Sequence, residues 1–157
     1  MTIRNIKESD QENIKALLKD FNMSEEYFDI LYNSSSYIDD LSFVLEDGLE
    51  IVGFMMLTRN KLGKVEGLTL APLLVEKRYQ HKGLGKHLLK RGLNVASALG
   101  YEYIVALGND AFYEKYNFLP AENFGVVGTG VILSLNHMDE ELNCEIKYPR
   151  AIKNLFK

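Results

Sequence analysis

Residues 68–93, LTLAPLLVEKRYQHKGLGKHLLKRGL, pass from a run apolar enough for a strand buried on both faces, through a short polar turn, into an amphipathic helix. This strand, loop and helix commit the chain to packing a helix on a sheet. Gly83 and Gly85 stand where the helix opens. A glycine inside a helix costs about 1 kcal/mol relative to alanine, so two of them there need a reason. One reason is close packing of helix on sheet. The other is a ligand that must reach the backbone.

The first turn of a helix leaves its N–H groups without intrahelical partners, and the helix dipole adds about half a positive charge there. Anions, phosphates above all, are favoured at that end. Without side chains at 83 and 85 a bulky diphosphate can sit on the amides, and Lys82 and Lys86 add attraction. Two other phosphate motifs are excluded by spacing. A P-loop needs Gly at 80 and Ser or Thr at 87, where the chain has Gln80 and His87. A dinucleotide fingerprint needs Gly at 88, where the chain has Leu88. What remains is Gln-x-x-Gly-x-Gly between a strand and a helix.

The rest of the chain reads as one domain with interleaved strands and helices. IRNIKE is a short strand, and Ser9 or Asp10 caps a helix with the stripe Ile14, Leu17, Leu18 and Phe21. Ser24 starts a shorter helix to about Asn33. SFVLED and EIVGFMMLTR flank Asp47–Gly48 as an antiparallel hairpin, and KVEGLTLAPLLVE is the third strand of that meander. Leu84, Leu88, Val95 and Leu99 mark the buried stripe of the long helix, which Gly100 stops. YEYIVAL is the next strand. NDAFYEKYNF is a short helix closing at Asn117, and GVILSL and NCEIKY are further strands. Hairpins among these elements imply a mixed α/β fold with a partly antiparallel sheet.

Composition narrows the function classes. A net charge of -4 lacks the basic footprint of a general nucleic-acid binder; the cations gather locally at 77–91. No apolar run approaches the roughly 20 residues of a membrane span, and the N-terminal segment lacks the apolar core of a signal peptide. Cys144 is the single cysteine, so no intramolecular disulfide forms, which agrees with a cytoplasmic location. Lys90, Arg91, His81, His87 and His137 read as surface groups. No base neighbours Cys144 in sequence to make it a nucleophile.

QHKGLG in this setting resembles the acetyl-coenzyme A loop of the GNAT superfamily of N-acetyltransferases. ALGNDAFYEKYNFLPA resembles the family segment in which Asn or Asp precedes a helix carrying FYxxxGF, with Asn117 where Gly is usual. IRNIKESDQENIKALL resembles the opening strand and helix of such enzymes. PLLV, LGNDAFYEKYNFLPA and YPRAI together are similar to a bacterial subgroup of these acetyltransferases. The resemblance covers nearly the whole chain and is least diagnostic over residues 22–64.

The resemblance implies a single GNAT-like domain over residues 1–157, with a partly antiparallel sheet, flanking helices, and a fourth and fifth strand that splay apart. It implies acetyl-coenzyme A as co-substrate, no metal, and an amine acceptor on a small molecule, amino acid or peptide. The pantetheine arm would pair with the backbone of Leu73, Leu74 and Val75, where one N–H would polarise the acyl carbonyl. The diphosphate would lie on Gln80, His81, Lys82, Gly83, Leu84, Gly85 and Lys86. Asn109 would contact the arm, and Tyr113, ahead of Tyr116, would protonate the departing thiolate. Some members carry a Glu base in strand 4, but LTLAPLLV has no carboxylate. Glu66 is the nearest upstream, Glu76 lies on the loop side, and a base acting through ordered water is the third option.

Two other functions stay open at this stage: a coenzyme A-binding sensing module that has lost its chemistry, and transfer of a different acyl group. Dimers are frequent among similar proteins. Acceptor choice is expected to reside in residues 22–40 and 119–143. Tyr27, Phe28, Tyr32 and Tyr37 there are either an aromatic pocket or core. Asp39, Asp40, Glu46 and Asp47 either attract a cationic amine or form a solvated face.

Overall fold

The computed structural model describes residues 1–127, 130–135, 142, 144–147 and 152, with the side chains of Cys144 and Lys147 excepted. His137, Met138 and, except for Ile152, the YPRAI segment lie outside the described residues. The chain opens with strand β1 (Thr2–Asn5) and a 3-10 turn at Glu8–Asp10. Helices α1 (Gln11–Asp20) and α2 (Glu25–Tyr32) follow. Strands β2 (Ser42–Asp47), β3 (Glu50–Leu62) and β4 (Val65–Val75) form an antiparallel meander. Helix α3 (Leu84–Ala98), strand β5 (Tyr103–Ala106) and the five-residue helix α4 (Asp110–Glu114) complete the central part. Short strands β6 (Leu119–Pro120), β7 (Val126–Val127), β8 (Val131–Ser134) and β9 (Cys144–Lys147) close the described chain.

The main sheet runs β1-β2-β3-β4-β5-β8-β6, and β9 joins β3 and β7 at one side. Every pairing along that main path is antiparallel except β4 with β5. A parallel neighbour requires a crossover, and the loop and α3 supply it. One face of the sheet buries α3 against Phe43, Met55, Leu57, Leu68, Leu70, Ile104 and Ala106. The other buries α1 and α2 against Val44, Phe54, Met56, Ala71 and Leu74. This two-sided covering explains why β4 reads as a continuous apolar run.

Helix α1 buries Ile14, Leu17 and Leu18, as its spacing predicts, and Phe21 is half-buried just past its end. The stripe of α3 differs from expectation. Leu88, Leu89, Gly92 and Ala96 are buried, whereas Leu84 and Val95 are only half-buried and Leu99 is exposed. The helix approaches the sheet most closely at Gly92, where a Cβ would lie 2.5 Å from Met55 Cε. Leu99 falls on the same face but caps the helix after its last residue, Ala98. Gly100 ends the helix with φ +88°. Helix α4 is shorter than expected, ending before the left-handed Asn117 (φ 72°). The two-residue strands β6 and β7 fall where no strand is expected from sequence, being too short for periodicity to register.

A charged cluster ties the N-terminal elements together. Arg4 from β1 donates to both Asp10 oxygens at 2.7 and 3.0 Å and to Glu46 of β2 at 2.7 Å. Asp10 also accepts the Lys7 N–H at 2.7 Å, and it is buried. The Arg4 guanidinium, first among the causes, holds the Asp10 carboxyl below its ordinary value. A depressed acid stabilises the fold fully above its unfolded value and loses that contribution as pH falls through the folded one. Asp10→Asn is therefore expected to cost about 2 kcal/mol at pH 7. That deficit should shrink below about pH 4, read by urea unfolding across pH. A deficit independent of pH would contradict the assignment.

Candidate active site between strands four and five

Strand β4 keeps its pairing with β3 along its whole length but loses β5 half-way. The parallel rungs are Leu68↔Ile104, Thr69↔Val105 and Leu70↔Ala106, and none follows. At that level Ala71 and Pro72 together oppose the single residue Met56, since Leu70 pairs Leu57 and Leu73 pairs Met55. This is a β-bulge, which bends a strand and re-aims its side chains. Proline has no N–H to give to a ladder. The Tyr27 hydroxyl, on α2, donates to the Ala71 carbonyl in the bulge. Tyr27 is fully enclosed, and burial pushes its phenol pKa up, so it stays a donor.

Beyond the bulge the ladder with β3 resumes, and Glu76 N–H donates to the Val52 carbonyl at 2.8 Å. By the two-residue alternation of an antiparallel pair, Leu74 turns its backbone groups to β3, while Leu73 and Val75 turn theirs into the gap. The Val75 carbonyl on that side accepts the Gln80 side-chain amide at 2.8 Å. Gln80 therefore anchors the loop to the strand. The N–H groups of Leu73 and Val75 are directed to a region where, among the described residues, no strand lies beside them.

The loop ends in a left-handed turn. His81 has φ +63°, and Gly83, the residue before α3, has φ +78° and ψ 10°. Such a conformation costs a residue with a Cβ about 1–2 kcal/mol, which accounts for glycine at 83. A Cβ at Gly83 would meet nothing within 4 Å. Close packing is thus not the reason for this glycine; the space above it is open. At Gly85 a Cβ would make ordinary contacts with Leu73 (3.5 Å) and Phe112 (3.6 Å). Leu84, Gly85 and Lys86, which open α3, line this space.

A cavity of about 480 Å³ fills the gap. It brings together most of the expected residues: Leu73, Leu74, Val75, Gln80, His81, Gly83, Leu84, Gly85, Lys86, Asn109 and Tyr113. Lys82 is outside the lining; it is exposed, with its ammonium 5.7 Å from the centre of the Tyr79 ring. Glu66 is also apart. It is exposed and pairs with Lys61 next to the β3–β4 turn. Six strand residues separate it from Leu73, roughly 20 Å along β4. Glu76 lines a separate groove with Asp20 and Arg78.

Lining residues not expected from sequence include Phe21, Tyr79, Phe112 and Lys115. Tyr79 donates its hydroxyl to Asp47 at 2.6 Å, which fixes the loop on the β2–β3 hairpin. The signal that would have found Tyr79 and Phe112 is adjacency: Tyr79 directly precedes Gln80, and Phe112 is the first residue of the FYxxxGF segment. Tyr113 is buried, its ring packed on Phe112 and Phe118 at 5.2 and 5.3 Å. Burial pushes its phenol well above the ordinary value. It holds its proton throughout the neutral range, as a donor must. Tyr27 and Phe28 are core, whereas Tyr32 and Tyr37 are half-buried and stacked beside them.

The comparisons agree with this geometry. Residues 8–118 match the model of the acetyltransferase (GNAT) family. The chain therefore belongs to that family of acyl-transfer enzymes. An uncharacterized N-acetyltransferase from Escherichia coli K12, YhbS, is 37% identical over 49 residues. That match spans 31% of this chain and 29% of the relative. In three dimensions the chain is similar to YhbS solved with CoA, with a TM-score of 0.83 and 22% identity over 97% of this chain and 91% of that one. It is also similar to a GNAT acetyltransferase from Brucella melitensis solved with acetyl-CoA, with a TM-score of 0.78 and 21% identity over 96% and 97%.

Gln80→Glu puts an oxygen against the Val75 carbonyl. It is expected to cost about 1–2 kcal/mol at pH 7. The loss should narrow as pH falls and the introduced carboxyl takes up a proton that it can donate. Thermal unfolding at two pH values checks this; a variant as stable as wild type at pH 7 contradicts the anchoring role.

Proposed function

We propose that this chain is an acetyl-coenzyme A-dependent N-acetyltransferase. It transfers acetyl to a primary amine of a small molecule, amino acid or peptide, by direct attack in a ternary complex. The observation that carries the reading is the cavity itself. One gap holds the amides of a left-handed loop at a helix start, two strand N–H groups without a strand neighbour, and a buried tyrosine hydroxyl.

The residues fit a thioester with a diphosphate tail. The open space above Gly83 leaves the loop amides of residues 81–86 accessible to an anion, with Lys86 at hand. The gap-facing backbone of Leu73 and Val75 suits an extended amide-bearing arm, which would take the place of a strand. Asn109, left-handed at φ +43°, lines the same cavity ahead of α4. The co-substrate supplies an activated acyl group: nitrogen forms the new bond to the carbonyl carbon, the C–S bond breaks, and sulfur leaves with the electron pair. The N–H of Leu73 or Val75 stabilises the charge on the acyl oxygen. Tyr113 delivers the proton to sulfur as the C–S bond breaks. Free thiol and phenol values, near 8.5 and 10, lie close in water, and burial raises the Tyr113 phenol further, so it keeps its proton until the thiolate forms beside it.

No Asp or Glu is among the described lining residues. That observation favours one other reading, a coenzyme A sensor without turnover. Thiol release in the presence of amines separates the two.

Gly83→Val is expected to raise the dissociation constant of acetyl-coenzyme A by at least about tenfold by calorimetry, since it both strains the loop and covers the amides. Unchanged affinity contradicts the diphosphate placement. Tyr113→Phe should keep the affinity within about threefold and lower kcat about a hundredfold, the usual worth of a positioned acid. A kcat equal to wild type removes Tyr113 from the chemistry.

A further inference from the structure

The walls of the cavity come from both faces of the sheet. Leu73, Val75, Leu84, Phe112 and Tyr113 pack with the α3 core. Leu74 and Phe21 pack with the α1–α2 core. The two sides differ in chemistry. The α3 side carries the loop amides and Lys86, and Lys115 follows α4. Among the described residues, the α1–α2 side contributes the apolar side chains of Phe21 and Leu74. If the diphosphate takes the first side, the acceptor must come to the gap from the second.

Acid groups near that second side are turned elsewhere. Asp20, next to Phe21, and Glu76, next to Val75, both line the separate groove that also holds Arg78. Arg78 bonds Glu76 at 2.5 Å. Asp29 of α2 is paired with Lys15 at 2.9 Å. Among the described residues, nothing in the cavity offers a negative charge to an ammonium, and Lys86 and Lys115 oppose one. Taking an ammonium from water into such a place is unfavourable, whereas the neutral amine can enter.

We infer that the acceptor is a primary amine borne on an apolar body, that it reaches the gap past Phe21 and Leu74, and that it is captured as the free base. This rests on the transferase reading above and names its substrate class. The ammonium loses its proton to water before capture, so the protein need supply no base. The nitrogen attacks with its free pair, and the product amide releases its second proton to solvent. Amines of low pKa are favoured: an α-amino group, near 8, is about a tenth free base at pH 7, while a lysine-type amine, near 10.4, is almost wholly charged. Polyamines fail on both counts.

The test is thiol release by the full chain with acetyl-coenzyme A and three acceptors: phenylalaninamide, glycinamide and spermidine. Phenylalaninamide is expected to show a kcat/KM at least about tenfold above the other two. Its pH profile should rise to the acceptor's own pKa, and the inflection should move when an acceptor of different pKa is used. Phe21→Ala should raise the acceptor KM about tenfold without weakening acetyl-coenzyme A binding. Phe21→Leu, which keeps apolar bulk, should stay close to wild type. Preference for spermidine, or an inflection fixed whatever the acceptor, overturns this inference and leaves the transferase reading standing. Tight coenzyme binding with no thiol release from any amine overturns both.

Discussion

The structure depends on a pairing that stops. After Leu70↔Ala106 the strands β4 and β5 share no further rung, although β4 continues to Val75 against β3. Unpaired backbone N–H and C=O groups inside a protein are costly, so an interior gap in a sheet is unstable unless something answers them. Here the Val75 carbonyl is answered by Gln80, and the Ala71 carbonyl by Tyr27 from the opposite layer. The groups of Leu73 and Val75 that stay directed into the gap are those a ligand can use. The bulge at Ala71–Pro72, the absence of an N–H on proline and the short β5 together make the opening.

Two glycines in α3 and the loop before it have different causes. Gly83 takes a left-handed conformation over open space. Gly92 lets Met55 touch the helix backbone and sets how closely α3 lies on the sheet. Both choices favour the same outcome, an α3 held tightly by its middle with its first turn clear. The anchors around the loop serve that end too. Tyr79 is fixed to Asp47 and Gln80 to Val75, so the left-handed turn between them and α3 is held from one side by a hairpin and from below by the strand.

Much of this was legible before any coordinates. Strand β4, its loop and α3 follow from an apolar run, two glycines and a clean stop at Gly100. The Asp47–Gly48 turn between two apolar runs predicts β2 and β3, and Asn117 predicts a left-handed end to the α4 segment. What escaped has identifiable causes. Leu99 continues the apolar stripe by spacing, but it caps α3 past its last residue, and a period does not mark where a helix ends. Strands β6 and β7 are too short to carry a period. Phe21 enters the cavity from a segment with no motif, and Lys115 from a variable position of the FYxxxGF segment, so only the packing of α1 and α4 brings them there. Glu66 is close to Leu73 in sequence, yet an extended strand carries it to the far end of the sheet.

The account is tested most directly by a crystal structure of the chain grown with acetyl-coenzyme A. It predicts a diphosphate on the amides of residues 81–86 and a pantetheine arm beside Leu73 and Val75, with the thioester within reach of the Tyr113 hydroxyl. A diphosphate bound away from the start of α3, with the gap between β4 and β5 empty, would contradict it.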